Sequence, residues 1–336
     1  MRALAVLAFV AGLTAGTLIV GHYGFAAVGR ALLTVGWTGF LLVVLLHLGV
    51  IILCGFAWWI LLPPAPHRSA ERRSAWRFVW ARLVRDGGSE VLPLSQIGGY
   101  VLGARAVAVA GVAGPTAVAS TVADVTMEFL AQIAYAALGL AAFSALRPAA
   151  ELTLPIALGL GAAVVIGTAF ILAQQRGFAL LERVTGRLAR RWAAGFAASA
   201  AAVQAAIHEI YRFRAGFLAG FALHLAAWVA GAAEPWLALE FMGAPRGFGA
   251  VLAVESLLYA ARSVAFAVPN ALGVQEGAYI LLGGYFGIGP ETALALSLMK
   301  RARDLCLGVP VLLAWQYVEV RRAWRSRSRP AGASKE

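Results

Sequence analysis

VPNALGVQEGAYILLGGYFGIGPETALALSLMKRARDLCLGVPVLLAW, residues 268–315, decides how the rest of the chain is read. Most of its positions are apolar or small, yet it carries Gln275, Glu276, Lys300, Arg301, Arg303 and Asp304. Ionisable side chains inside a long apolar segment are expensive in a bilayer and mark a working site or pathway. Pro269, Asn270 and Gly273 interrupt the helix before the first polar pair, and Gly287-Ile-Gly-Pro290 interrupts it again. The pattern predicts a membrane helix broken within the bilayer, with polar groups at the break.

Composition supports that setting. The 336 residues are 61% hydrophobic and only 13% charged, with a mean hydropathy of +0.79. A soluble domain carries about 25% charged residues, so the chain reads as an all-α polytopic membrane protein. A net charge of +12 raises the question of nucleic acid. The basic residues concentrate at Arg2, at 68–85, at 176–214 and from Arg321 onward, whereas the alternate loops hold only Arg30, Arg147 and Arg246. Such asymmetry is the positive-inside pattern; it records topology, with both termini cytoplasmic, and no nucleic-acid partner is expected.

Working outward, the segment 3–20 reads as a signal anchor retained as the first span. A second span covers about 37–62, with Trp37, Trp58 and Trp59 as interfacial anchors and His47 as a hydrogen-bonded core histidine. SAWRFVWARLVRD, residues 74–86, has the spacing of an amphipathic helix on the cytoplasmic surface, and a second interfacial region is expected over about 178–212. Pro93, Gly98 and Gly99 break the apolar stretch 91–114, whose arm is too short to cross, and Arg105 lies within it. Further spans are expected at 116–146, 152–173, 217–239, 248–267 and 291–317. Asp124, Glu128 and Gln132 share one face of the first of these, and Glu255 and Arg262 are two turns apart on the fourth.

The chain also repeats. Pro93 and Pro269 are 176 residues apart, as are Glu128 and Asp304, and Gly114-Pro115 precedes Gly289-Pro290 by 175. Each half reads as proline break, short glycine-rich arm, Gly-Pro, then a long span with ionisable residues midway. The charge asymmetry sends the two long spans in opposite directions. The expectation is therefore one integral membrane domain over 1–322, with six to eight transmembrane helices. Its two broken, re-entrant hairpins are related as an inverted repeat (about 70–146 and 247–318), and 323–336 form a cytoplasmic tail. Inverted repeats with broken helices are the build of many secondary transporters, with the substrate between the halves.

The residues expected along a translocation path are Arg105, Asp124, Glu128, Glu255, Arg262, Gln275, Glu276, Lys300, Arg301, Arg303 and Asp304. Asp124 and Glu128 on one span and Lys300, Arg301 and Asp304 on its counterpart can neutralise one another across the pseudo-twofold, or Lys300 can pair with Asp304 one turn away. A buried ion-pair network that fixes packing and a polar route for a headgroup or proton both fit these residues. Arg105 and Arg262 suit a phosphate or other anionic headgroup, and Glu276 suits a helix cap. No catalytic constellation is present: there is no GxSxG, no P-loop, and His208-Glu209 lacks the second histidine of a zinc motif. Cys54 and Cys306 read as small buried hydrophobes, so no metal and no cofactor is expected.

PNALGVQEGAY, LALSLMKRARDL and GVP together resemble the motif and charged span of the lysylphosphatidylglycerol synthase transmembrane-region family. LPLSQIGGYVLGARAVAVAGV with STVADVTMEFLAQ is similar to its hopanoid-biosynthesis-associated inner-membrane branch. Asn270 stands where the family pattern has glycine, and the soluble aminoacyl-transferase domain of the synthase has no counterpart after the spans. The resemblance implies a lipid-handling protein of a bacterial inner membrane, without the aminoacylation chemistry. Its partners would be membrane lipids, hopanoid or anionic phospholipid, with a homo-oligomer open. The alternative is a non-transporting accessory protein that docks lipid-biosynthesis enzymes on its arginine-rich face. An integral membrane enzyme acting on a headgroup is a third reading, for which the chain offers no nucleophile.

Overall fold

The computed structural model describes residues 25–64, 74–91, 95–148, 193–265, 268 and 271–327, with scattered helical positions between 154 and 168. The expected first span, most of the span at 152–173, the start of the 178–212 region, Pro93, Pro269 and Asn270 lie outside the described residues. Among those described, every regular element is helical, as an alanine- and leucine-rich chain in lipid requires, because a helix satisfies its own backbone hydrogen bonds.

Helix α1 (Phe25–Ile60) bends at Gly36, whose φ of 62° leaves the helical region. A hairpin follows, α2 (Ala75–Val91) and α3 (Ser95–Val109), then the long α4 (Gly114–Leu146). Helices α5 (Ala193–Arg212), α6 (Arg214–Gly231) and α7 (Ala233–Phe241) lead to α8 (Phe248–Val264), the short α9 (Val274–Gly284) and the long α10 (Pro290–Arg327). Three stretches are long and apolar enough to cross a membrane: Leu33–Ile60, Gly114–Leu146 and Arg214–Phe241. By contrast α3 and α9, at 15 and 11 residues, reach only about 22 and 16 Å, short of the roughly 30 Å hydrocarbon core.

The order short, short, long thus occurs twice, in α2–α3–α4 and in α8–α9–α10. These sets interlock. Helix α4 packs along α8, with Gln132 near Ser263, Gly139 against Ser256 and Leu146 near Gly249, so the two run antiparallel. Helix α2 packs along α10, with Gly308 against Val91 and Gly87, and Leu312 also beside Gly87, again antiparallel. A Cβ on Gly139 would collide with the Ser256 hydroxyl, and one on Gly308 would stand 3.3 Å from Gly87 Cα and 2.7 Å from Val91. Ser256 follows Gly87 by 169 positions, and Gly308 follows Gly139 by 169. Small residues at such crossings let helix backbones approach where lipid supplies no hydrophobic drive.

Several expectations change. Gly98 and Gly99 do not break a helix; both lie inside α3, where Gly99 and Gly103 let the arm press on α2 beside Arg85 and Ser89. Helix α2 is not a surface helix with its arginines outward. Trp76 is exposed, whereas Arg82 and Arg85 are 6% and 3% exposed and sit beside buried Phe78, Val79 and Ala81. Trp58 is no interfacial anchor either: it is fully buried and donates its indole N–H to Ser120 Oγ at 3.2 Å. The regular structure of α10 also runs to Arg327, past the expected tail boundary at 322.

Candidate functional site

A cavity of about 520 Å³ lies between the two helix sets. Its wall takes His47 from α1, Arg82, Arg85, Asp86 and Glu90 from α2, Tyr100 from α3, and Glu128 and Gln132 from α4. His224 and Trp228 come from α6, Glu234 from α7, Tyr259 and Arg262 from α8, Val268 and Ala271 from the break after α8, and Arg303 and Asp304 from α10. His47, Glu128 and Trp228 each fall near the midpoint of the apolar stretches long enough to cross a membrane.

Two matched ion-pair systems flank it. On one side Arg85 binds Asp124 and Glu128 at once, Arg82 Nη2 donates to Glu128 at 2.6 Å, and His224 meets Asp124 at 2.9 Å. The Tyr100 ring faces the Arg85 guanidinium at 4.7 Å. On the other side Lys300 Nζ donates to Glu255 at 2.6 Å, Tyr279 donates its hydroxyl to the same carboxylate, and the Tyr279 ring lies 5.5 Å from the ammonium. The first helix of each set bonds the long helix, and a tyrosine from the short arm covers the bond. The signs are reversed: α2 supplies the cation in one set, α8 the anion in the other.

A third group joins the sets to the rest. Arg303 binds Glu234 and, at 2.6 Å, Asp304; His47 Nδ1 meets Glu234 at 2.9 Å. Glu276 caps α9 by accepting from the Gly273 N–H at 2.8 Å, while also accepting from Arg301 at 2.9 Å and from Ser297 at 2.9 Å. Gly273 holds φ +80°, a conformation that glycine alone adopts without strain, and this is what terminates the break. Buried pairs of this kind add little net stability, yet losing one partner costs about 3–5 kcal/mol, so they fix geometry. Around the cavity, Arg82 Nη1 and Arg85 Nε find no hydrogen-bond partner among the described residues.

The family model for the lysylphosphatidylglycerol synthase transmembrane region matches residues 3–311. The chain belongs to that family. Comparisons with curated proteins and with solved structures find no match. Membership makes this a membrane protein of a lipid-related family.

Within this family member the expected path residues separate into groups. Glu128, Arg262, Arg303 and Asp304 line the cavity. Asp124, Glu255, Gln275, Glu276, Lys300 and Arg301 stand behind or beside it in hydrogen-bonded pairs; Gln275 reaches Ser297 Oγ at 2.8 Å. Arg105 is not at the site. Its side chain is 54% exposed and bonds Glu319 at 3.1 Å. Asp124 pairs with Arg85 and not with Lys300 across the molecule, and Lys300 pairs with Glu255 and not with Asp304 one turn away. Sequence reasoning missed Arg82, Arg85, Asp86 and Glu90 because a basic helix was placed on the surface. One signal was present: Asp124 and Glu128, a turn apart in an apolar span, require two cations at similar spacing, and Arg82 and Arg85 provide it.

Proposed function

We propose that this family member is a lipid translocase or lipid-transport component, and that a polar headgroup passes through the cavity while the acyl or polycyclic part stays in lipid. The observation that carries the reading is the pair of sign-reversed ion-pair systems, each covered by a tyrosine, on either side of a polar cavity. Together with the antiparallel α4/α8 and α2/α10 contacts, they fit two halves of opposite orientation that can rock about a central site. Every charge at the site has a counter-charge, which lets the empty path persist in lipid. Arg82, Arg85 and Arg262 offer guanidinium groups for a phosphate or another headgroup oxygen.

The cargo classes we infer are hopanoids or related lipids, with anionic phospholipids as the comparison class. The setting is a bacterial inner membrane with both termini cytoplasmic, and the protein carries out no chemical conversion. Reconstitution into vesicles with a leaflet-specific lipid assay tests this. Headgroup movement that depends on Arg85 and Lys300 supports it, whereas vesicles with and without the protein behaving alike overturn it. A second reading, a docking platform for lipid-biosynthesis enzymes, is favoured by the exposed Arg321, Arg322, Trp324 and Arg325 at the end of α10. It would gain if trimming that end removed the cellular lipid phenotype while substitutions at Lys300 and Asp304 did not.

A further inference from the structure

Cys54 lies on α1 and lines the cavity, 7% exposed. Its surroundings are set by the way α6 crosses α1. Gly216 lets α6 approach the Ile60 carbonyl and Gly220 lets it approach the Ala57 carbonyl, where an added Cβ would come within 2.5 and 3.4 Å. One turn up α6 thus answers one turn down α1, and the next step brings His224 level with Cys54. Both side chains face the cavity there.

His224 is fully buried, and its Nε2 meets Asp124 Oδ1 at 2.9 Å. A carboxylate at Nε2 keeps the ring proton there, so the neutral ring presents its lone pair at Nδ1. Nδ1 has no partner of full hydrogen-bond geometry among the described residues, and the Cys54 thiol reaches the same ring. A second such atom stands near the same sulfur. Arg82 Nη1 is buried without a hydrogen bond, 3.6 Å from Asp124 Oδ2, and its guanidinium acts electrostatically on Cys54. Asp86 at 2.8 Å and Glu128 at 2.6 Å hold Arg82 in place. Buried polar atoms without partners are rare and call for an explanation. Here thiol, imidazole and carboxylate stand in the order nucleophile, base and orienting acid, with a guanidinium at hand for negative charge. Cysteines packed among apolar groups are inert, whereas those beside cations and open to a cavity react.

We propose that Cys54 is an activated thiol that takes an oxygen from hydrogen peroxide entering the cavity, with His224 as its base and Asp124 as the positioning residue. The Cys54 proton passes to His224 Nδ1 as the sulfur attacks one peroxide oxygen. The S–O bond forms, the O–O bond breaks, and the departing hydroxide takes the proton from His224 and leaves as water. Sulfur loses two electrons and the peroxide gains them, so Cys54 becomes a sulfenic acid. Arg82 Nη1 faces the negative charge that builds on the departing oxygen. Peroxide fits this arrangement because its leaving group needs both a returned proton and a cation. The step modifies the cavity wall and converts no lipid, and it does not depend on the translocation reading.

Cys306, the chain's other cysteine, is exposed, so the test uses the full chain carrying Cys306→Ser, in detergent micelles. Hydrogen peroxide is one probe and iodoacetamide the other; both are small and uncharged, so they reach Cys54 alike. Intact mass reads the added oxygen or acetamide, and a cyclic 1,3-dione traps the sulfenic acid. With peroxide, Cys54 should react about a hundredfold faster in the folded chain than in the same chain denatured in dodecyl sulfate. With iodoacetamide, whose iodide leaves without a proton, the folded-to-denatured ratio should be at least about tenfold smaller. His224→Gln keeps a donor toward Asp124 and removes the base, and should slow the folded peroxide reaction about a hundredfold. A folded Cys54 slower than the denatured one with both reagents overturns the proposal and returns Cys54 to the packed core. Equal ratios for the two reagents overturn peroxide as the electrophile, and an unchanged rate in His224→Gln overturns the base. If His224→Gln aggregates, the folded and denatured parent rates decide alone.

Discussion

Lys300 of α10 donates to Glu255 of α8 at 2.6 Å, where the two side chains are 2% and 1% exposed. Neither group has bulk water to fall back on, so each depends on the other as its hydrogen-bonding partner there. Tyr259 adds its ring face at 4.9 Å from the ammonium, and Tyr279 adds a hydroxyl donor to the carboxylate. This places a charge pair at the heart of the second helix set, as Arg85 and Asp124 do in the first.

Removing one member should therefore cost far more than removing both. Lys300→Met or Glu255→Leu alone is expected to destabilise the protein by about 3–5 kcal/mol, whereas the two combined should recover most of that loss. Thermal unfolding in detergent, scored as a double-mutant cycle, measures it. Additive losses would mean that the two side chains act independently.

The helix crossings make a reciprocal prediction. Gly139→Ala places a methyl on the Ser256 hydroxyl, and Gly308→Ala places one against Val91 and the backbone of Gly87. Each is expected to cost about 1–3 kcal/mol by overpacking. Ser256→Gly should rescue the first substitution and not the second. Rescue of neither would show that the crossings relax by other means.

How much of this was legible in the sequence depends on which residues are considered. The helical, membrane-embedded class followed from the apolar runs, and the breaks before α9 and before α10 followed from Gly273, Gly287 and Pro290, because those residues act locally on the backbone. Glu276 as a cap was readable for the same reason, being three residues from Gly273. Partner choice was not. Asp124 has matched spacing with Lys300 in sequence, yet its arginine partners come from α2, because the α2–α3 hairpin folds its arginine face inward. Nothing in a helical wheel separates an arginine face that lies on headgroups from one buried against two carboxylates. Gly98 and Gly99 show the same limit: two glycines read as a break, while packing against Arg85 and Ser89 uses them as a contact surface inside a helix.

The break before α9 can be probed directly. Gly273→Ala puts a Cβ where φ is +80° and should cost about 1–2 kcal/mol. Glu276→Ala removes both the cap and the Arg301 pair and should cost more, about 3–5 kcal/mol, because Arg301 loses its buried acid. Glu276→Gln can keep the cap while losing the charge, so it should fall between the two. Equal losses for Ala and Gln would assign the whole effect to the ion pair.

Cavity filling separates the path from the network that surrounds it. Val125 lies on the cavity wall and makes no ion pair, so Val125→Trp adds bulk without removing a charge. Overpacking a filled core costs about 1–3 kcal/mol, whereas a side chain entering an open volume of about 520 Å³ has room and should cost less than about 1 kcal/mol. If headgroups traverse this volume, the same substitution should slow leaflet exchange about tenfold, which is a barrier increase of about 1.4 kcal/mol. Stability with slowed exchange identifies the cavity as the route. Stability with unchanged exchange places the route elsewhere, even though the charges around the cavity remain paired as the structure shows them.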